Sequence, residues 1–323
     1  MALFDSSRWI CFFGLSVSLL GCREAPLPAP SAISEENTLQ YRWNTDHILH
    51  YRFDLSQDIE VNSETESIQN FTRLEQSYRL KPKSAGDGLE IEIEFGKVIA
   101  SMKEGPNEGS YNSSTSTSPP SPVARLLANS FGKIENQSIT LHLDRHLRIQ
   151  QIDGLRSLIE RMSENLQPNL KAMIYSIFDE DRIKQLVYLT SLPEGTIAEG
   201  YAWPIHETRA FGLLGQTKLD GIAKFARHEK SNNRNRILIE LSGDAKAAEP
   251  GENPQPFVLQ SGTFEGKAWF DPERGHYADS ILTYRLNVRP RNSSPPQTGN
   301  PGHIEVIQKY SVKLDRIEVV SEN

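Results

Sequence analysis

The sequence predicts an α+β fold: a large curved antiparallel sheet, a partial β-barrel, carrying an inserted segment of three helices. Three observations predict it. Long runs alternate apolar and polar residues, as strands with one dry and one wet face do. One later stretch changes to a helical period. Polar and turn-forming segments separate the runs as hairpin loops do.

The first strand is read from Leu49, Tyr51, Phe53, Leu55, Ile59 and Val61 on one face and His50, Arg52, Asp54, Ser56, Asp58 and Glu60 on the other. A second runs from Leu74 through Tyr78 to Leu80. After the turn Ala85-Gly86-Asp87-Gly88, a third sets Leu89, Ile91, Ile93 and Phe95 against Glu90, Glu92 and Glu94. Those glutamates share a solvated face, where like charges need no ligand. Residues 104–122 include the low-complexity GPNEGSYNSSTSTSPPSP and are expected to form a disordered loop. Strand patterning resumes at Ile139, Leu141 and Leu143, turns at Asp144-Arg145, returns through Leu147 and Ile149, and stops at Asp153.

The helical insert is expected over 154–190. Leu155, Leu158, Ile159, Met162 and Leu166 make a helical stripe, with Asp153 as its candidate cap. Pro168 starts a second helix bearing Leu170, Met173, Ile174, Ile177 and Phe178. Asp179-Glu180-Asp181 places negative charge at the first turn of a third, where the helix dipole favours it. The stripes either pack on the sheet as plain core or form a lid over a cavity. Further strands are expected around 217–225, 237–241, 262–270, 280–288 and 304–320. The segments Ile48–Leu55 and Ile281–Val288 match at Ile, Leu, Tyr and Arg, which raises an internal repeat as a question.

The chain has 323 residues and a net charge of −7, which argues against a polyanion such as nucleic acid as partner. No run of 18 apolar residues occurs, so no spanning helix is expected. The two cysteines are Cys11 and Cys22. Trp9 to Leu20 has the length of a signal-peptide core, and Leu19-Leu20-Gly21-Cys22 resembles the lipobox of bacterial lipoproteins. Leu20 stands where that family usually has a smaller residue, and Asp5 dilutes the positive start. The other reading, an ordinary secretory signal cleaved nearby, meets a poor small-residue cleavage site.

The resemblance implies a signal peptide over 1–21 and a diacylglyceryl group on Cys22, with the freed amine acylated by a palmitate-type chain. Two or more chains hold a protein on a bilayer durably, where one binds reversibly. Residues 22–40 then begin with the lipidated cysteine and continue as a flexible tether rich in Pro, Ala, Ser and Glu. Residues 41–320 are expected to form a single antiparallel domain. Arg23 stands where the familiar sorting rule has Asp for inner-membrane retention, which leaves the outer membrane of the bacterial envelope as the expected location.

Two further elements carry a resemblance. Leu192-Pro193 followed by Gly200-Tyr201-Ala202-Trp203 is similar to a Pro…Gly-x-x-Trp element in a family of bacterial secreted lipoproteins without assigned activity. Gly266 to Gly275 (GKAWFDPERG) resembles that family's Gly-x-x-x-Phe-Asp…Gly turn. More distantly, the layout is similar to the incomplete-barrel carriers of lipoproteins and lipids in the bacterial envelope, which implies a greasy cavity between sheet and helices. Read from the residues, Asp271-Pro272 opens a type I turn and Gly275 takes its left-handed position. Trp203 is expected in the core. Trp203, Trp269, Tyr51 and Phe53 are the candidate ligand contacts, against the commoner role of aromatics as packing.

No Gly-x-Ser-x-Gly elbow, Walker loop, dinucleotide glycine cluster or His-Glu-x-x-His occurs. His142 and His146 lie in strand and turn context and do not suggest a metal site. His47 and His50, three apart on a strand, point to opposite faces. No cofactor is expected, and a catalytic set assembled from distant residues stays open. The expected function is that of a lipid-anchored, non-enzymatic envelope protein holding a hydrophobic or amphiphilic small molecule or lipid. The alternatives are a structural or partner-binding lipoprotein without a cavity and, last, an envelope hydrolase.

Overall fold

Two antiparallel meanders share one sheet. The first comprises β2 (His47–Asn62), β3 (Ser67–Ala85) and β4 (Gly88–Glu104), extended by β6 (Ser138–Leu143) and β7 (Ile149–Asp153). The second comprises β9 (Ala202–Ala210), β10 (Gln216–Ser231), β11 (Arg234–Ala247), β12 (Phe257–Asp271), β13 (His276–Pro290) and β14 (His303–Val319). Pairing of β14 with β2 joins them in the order β7-β6-β4-β3-β2-β14-β13-β12-β11-β10-β9. The computed structural model describes residues 37–62, 67–115, 121–166, 168–211, 214–231, 234–248, 257–291 and 303–320. All belong to one unit, Glu35–Asn323. The leader, Cys22 and most of the expected tether lie outside the described residues.

The sheet is curved and unclosed, as the sequence predicts. Strand twist supplies the curvature, and an extra residue sharpens it where register shifts, on β4 between Phe95 and Val98 and on β14 between Leu314 and Arg316. Across β10 and β11, Gly221 faces Gly243. A Cβ on either would meet the Phe264 ring, at 2.7 and 2.6 Å. Two side-chain-free positions thus let an aromatic from β12 lie flat against the strands, a device of bent sheets.

The alternation buries Leu49, Tyr51, Phe53 and Leu55 of β2 with Leu74, Tyr78 and Leu80 of β3 on the concave face. Glu92 and Glu94 lie on the other face and pair with Lys83 and with Lys81 and Arg79, so they serve as surface charge. Their hydrogen bonds from Lys83 and Lys81 hold both carboxyls below the usual range.

Helices cover part of the concave face. α2 (Leu155–Met162), α3 (Pro168–Ile177) and α4 (Glu180–Val187) occupy the predicted insert. α2 buries Leu155, Leu158, Ile159 and Met162, as its stripe requires. The expected Asp153 cap is corrected: Gly154, at φ 82°, holds the cap position, and the Asp153 carboxylate accepts from His142 and Gln151 instead. A left-handed turn there points the preceding side chain back to the sheet. At α4 the expectation holds, with Asp179 accepting from the Arg182 amide at 2.7 Å. Phe178 meets Phe95 edge-on and Phe131 at a tilt, and the Tyr78 hydroxyl donates to the Leu186 carbonyl at 3.1 Å, which locks the insert to the sheet.

Residues 104–122 hold more structure than their composition suggests. Asn107–Asn112 form β5, paired to the far half of β4 beyond β6. Next, α1 (Pro122–Phe131) starts with Ser121 capping the Ala124 amide at 3.1 Å and buries Leu127 and Phe131. Backbone pairing, which composition does not report, orders β5. Residues 116–120 lie outside the described residues. A small separate sheet pairs β1 (Asn37–Thr38) with β8 (Thr196–Ile197). The turn after β12 forms as read: Gly275, at φ 72°, donates to the Asp271 carbonyl at 2.8 Å, and its own carbonyl accepts from Arg42 at 2.9 Å.

Candidate functional site

Register divides the concave face into two ends. At one, His47 opposite Val319 lies near the Gly275 turn; at the other, Asn62 sits opposite Ser67 and His303. The helices fill the middle. Between α4 and the sheet only about 30 Å3 remains, bounded by Phe53, Tyr78, Phe178, Arg182 and Tyr310. A lid over a large cavity is therefore not what these helices make there. Their stripes are core.

Beyond them, toward the Asn62 end, the packing leaves a gap over sheet residues that are themselves largely buried. A groove of about 330 Å3 opens there, walled by Ile59, Val61, Leu286, Val288, Ile304 and Val306. Phe257, Leu214, Phe211, Leu170 and Met102 close its sides. Its size is at the lower end of the about 300–1,000 Å3 of small-molecule sites, and its walls are apolar as such sites are. At its inner end three polar side chains form one cross-strand row: Thr72 opposite Gln57, and Gln57 opposite Gln308.

Immediately inward lies a buried polar cluster. Arg209 donates to Glu207, at 3.0 Å from Nε and 2.5 Å from Nη2, and to the Tyr284 hydroxyl. Arg182 donates to Gln185 at 2.8 Å and to the Tyr310 hydroxyl, and stacks on Phe211. Burial pushes the Tyr310 hydroxyl well above the ordinary tyrosine range, with Arg182 opposing the shift. Burial likewise raises the Asp179 carboxyl against the bond it accepts from Arg182. These groups brace α4 against β13 and β14, and Phe211 separates them from the groove.

A larger depression, about 1150 Å3, lies where the edge strands β7 and β9 leave the sheet open. Its walls carry charges that already have partners: Arg148 with Asp144, Lys184 with Asp181, Arg209 with Glu207. It is a solvated seam. The apolar groove is the better ligand site.

None of the four sequence-predicted contacts lines that groove. Tyr51 stacks on Tyr78 at 5.5 Å and donates to the Tyr277 carbonyl at 2.9 Å. Phe53 borders the small internal space. Trp203 is buried and donates to the Ser191 carbonyl at 3.0 Å, a core role as read. Trp269 follows buried Ala268 and precedes buried Phe270, so alternation puts it on the convex face, where it donates to Glu229 at 2.6 Å. The sequence reading missed the groove residues, although one signal was there: Gln57 interrupts the apolar series Leu55–Ile59.

His142 lies between Glu90 and Asp153, at 3.3 and 2.9 Å, and His146 sits in the adjoining turn. Among the described residues, no three His, Cys, Asp or Glu side chains are arranged to hold a metal ion. No helix there is long and apolar enough to cross a membrane.

No protein-family model matches the chain, and no curated protein does. Among solved structures, lipovitellin is similar with a TM-score of 0.48 and 9% identity, over 87% of this chain and 26% of that one. The chain thus spans about a quarter of lipovitellin's length. A LolA-superfamily protein from Nitrosomonas europaea is similar at 11% identity over 85% of this chain and 89% of its own, TM-score 0.15. A DUF1329-family protein from Desulfovibrio piger matches at 8% over 83% and 86%, TM-score 0.16. Likeness of this degree leaves function to be argued from the chain's own residues.

Proposed function

We propose that this protein is a non-enzymatic, lipid-anchored protein of the bacterial envelope that holds a hydrophobic or amphiphilic ligand in the groove at the Asn62 end of its sheet. One observation carries the reading: about 330 Å3 of apolar-walled space stands open beside a core that is otherwise filled. Burying hydrocarbon there is favourable by about 25 cal/mol per Å2. The lipobox-like Leu19-Leu20-Gly21-Cys22 supports anchoring through Cys22, and Arg23 supports the outer membrane.

The filled interior beneath α4 favours a second reading, a partner-binding lipoprotein whose sheet and helices simply pack on each other. The two are separated by purifying the full chain carrying Cys22→Ser and analysing, by native mass spectrometry and solvent extraction, what accompanies it. A stoichiometric acyl lipid that is absent from an Ile59→Trp variant is expected. An empty protein that also fails to bind a fluorescent fatty probe would leave only the partner-binding role.

A further inference from the structure

The floor of the groove has a chemistry different from its walls. Gln308 is 8% exposed, yet no described residue donates to or accepts from its carboxamide. Gln57 and Thr72, its neighbours in the row, likewise bond to no described residue through their side chains. Backbone pairing puts the three on adjacent strands at one level, and the two carboxamides make no bond to each other. None of these polar tips is sealed from solvent, so the row can exchange water for a polar partner from outside the chain.

Position gives that partner its orientation. Along β14 the concave series runs Ile304, Val306, Gln308, Tyr310 from the open end inward, and along β2 it runs Val61, Ile59, Gln57, Leu55. On β14 and β2 the polar row is therefore the innermost layer, with apolar layers between it and the mouth, while on β3 Asn70 lies outward of Thr72 and accepts from the Gly105 amide. An amphiphile fitting this order enters head first, its hydrocarbon along Ile59, Val306 and Ile304.

Charge gives the class of head. The charged residues on the groove lining are Lys103 and Glu104, and the alternation that buries Ala100 and Met102 puts Glu104 on the concave side. The guanidinium of Arg182 lies behind the Phe211 ring, 5.7 Å from its centroid. An anionic head would meet uncharged donors on the floor, and Lys103 and Glu104 at the side together give the described lining no net positive charge. Burying a charge on those conditions is costly.

We infer that the groove selects a neutral acyl ligand, an amide or ester whose carbonyl accepts from the side chains of Gln57, Gln308 and Thr72. The inference rests on the ligand-holding reading above and names its substrate class. A site built to hydrogen-bond one group discriminates against analogues that lack it.

The test is competition against a fluorescent fatty probe on the full chain carrying Cys22→Ser, at pH 8. The competitors are dodecanamide, methyl dodecanoate, dodecanoate and dodecane. The amide and ester are expected to compete at about tenfold lower concentration than the carboxylate and the hydrocarbon, a difference of about 1.4 kcal/mol. Gln57→Leu with Gln308→Leu should erase that preference while the probe still binds. Thr72→Val, a smaller change at a half-buried site, should reduce it severalfold and serves if the double variant does not fold. Equal competition by dodecane, or a preference for dodecanoate, would overturn the inference, the first by assigning the row to bound water, and would leave the ligand-holding reading intact. Failure of the probe and of every competitor to bind would remove both.

Discussion

The guanidinium of Arg182 on α4 lies 3.6 Å from the ring centroid of Tyr310 on β14 and donates to its hydroxyl. Among the described residues no carboxylate lies within 4.0 Å of that guanidinium, although Arg182 is 5% exposed. The helical insert is thus held to the sheet by a buried cation, with an aromatic face and two neutral acceptors as its partners.

Arg182→Ala should destabilise the protein by about 3 kcal/mol, because it removes the stacked stem and leaves Tyr310 and Gln185 without their donor. Arg182→Met, which keeps the volume and removes the charge, should cost less than about 1 kcal/mol. Urea midpoints for the two variants check this, and equal losses would show that the charge itself stabilises the insert.

Stability should fall on mild acidification because of His276. Burial draws its imidazole from 6.5 down to about 4, and its Nδ1–H donates to the Arg274 carbonyl at 3.2 Å. The unfolded chain binds this proton below pH 6.5 while the native state excludes it until about pH 4. The contribution is therefore complete above pH 6.5 and is lost between 6.5 and 4, about 3 kcal/mol in all. His276→Gln should flatten that part of the stability–pH curve in chemical denaturation.

The paired glycines beneath Phe264 should tolerate no side chain. A Cβ on Gly243 would lie 2.3 Å from the Asp220 carbonyl oxygen and 2.5 Å from the Gly221 Cα, both backbone atoms that cannot turn aside. Gly243→Val is expected to cost more than about 2 kcal/mol, and Phe264→Ala about 3–4 kcal/mol. The double variant should lose somewhat less than the sum, since removing the Phe264 ring clears one of the contacts that a side chain on Gly243 would make. Thermal denaturation of the four proteins completes the cycle.

Ile59→Trp should fill the groove without disturbing the core, since Ile59 is only partly buried. Probe binding is expected to drop at least tenfold while the urea midpoint stays within experimental scatter. A plugged groove with unchanged binding would move the ligand site elsewhere.

If Cys22 carries the proposed anchor, Cys22→Ser should transfer the protein from the membrane to the soluble fraction of its host. Intact mass of the membrane-bound parent should show a chain beginning at residue 22 with its acyl additions. Retention of the variant on the membrane would place the anchor in another part of the chain.

Local periodicity made much of this architecture legible. Leu49 to Val61 had to be a strand with a dry face, Leu155 to Met162 a helix, and Asp179-Glu180-Asp181 the start of another, because each depends on neighbours within a few residues. The segments Ile48–Leu55 and Ile281–Val288 flank β14 on its two sides and bury Tyr51 and Tyr284 alike. Their likeness reflects equivalent positions in one sheet. Where a partner strand decided the outcome, local reading failed, as with β5, or with Asp153, whose carboxylate went to His142.

The sequence by itself determined most of the long strands, the helical insert and the side of those strands that faces the interior, since those follow from spacing along the chain. Only the tertiary structure decided where the interior stays empty. Gln57 and Gln308 are polar breaks in two apolar series far apart in the chain, and strand register alone brings them into one row with Thr72 at the end of a groove. Register is set by the whole sheet, so no single segment could announce it.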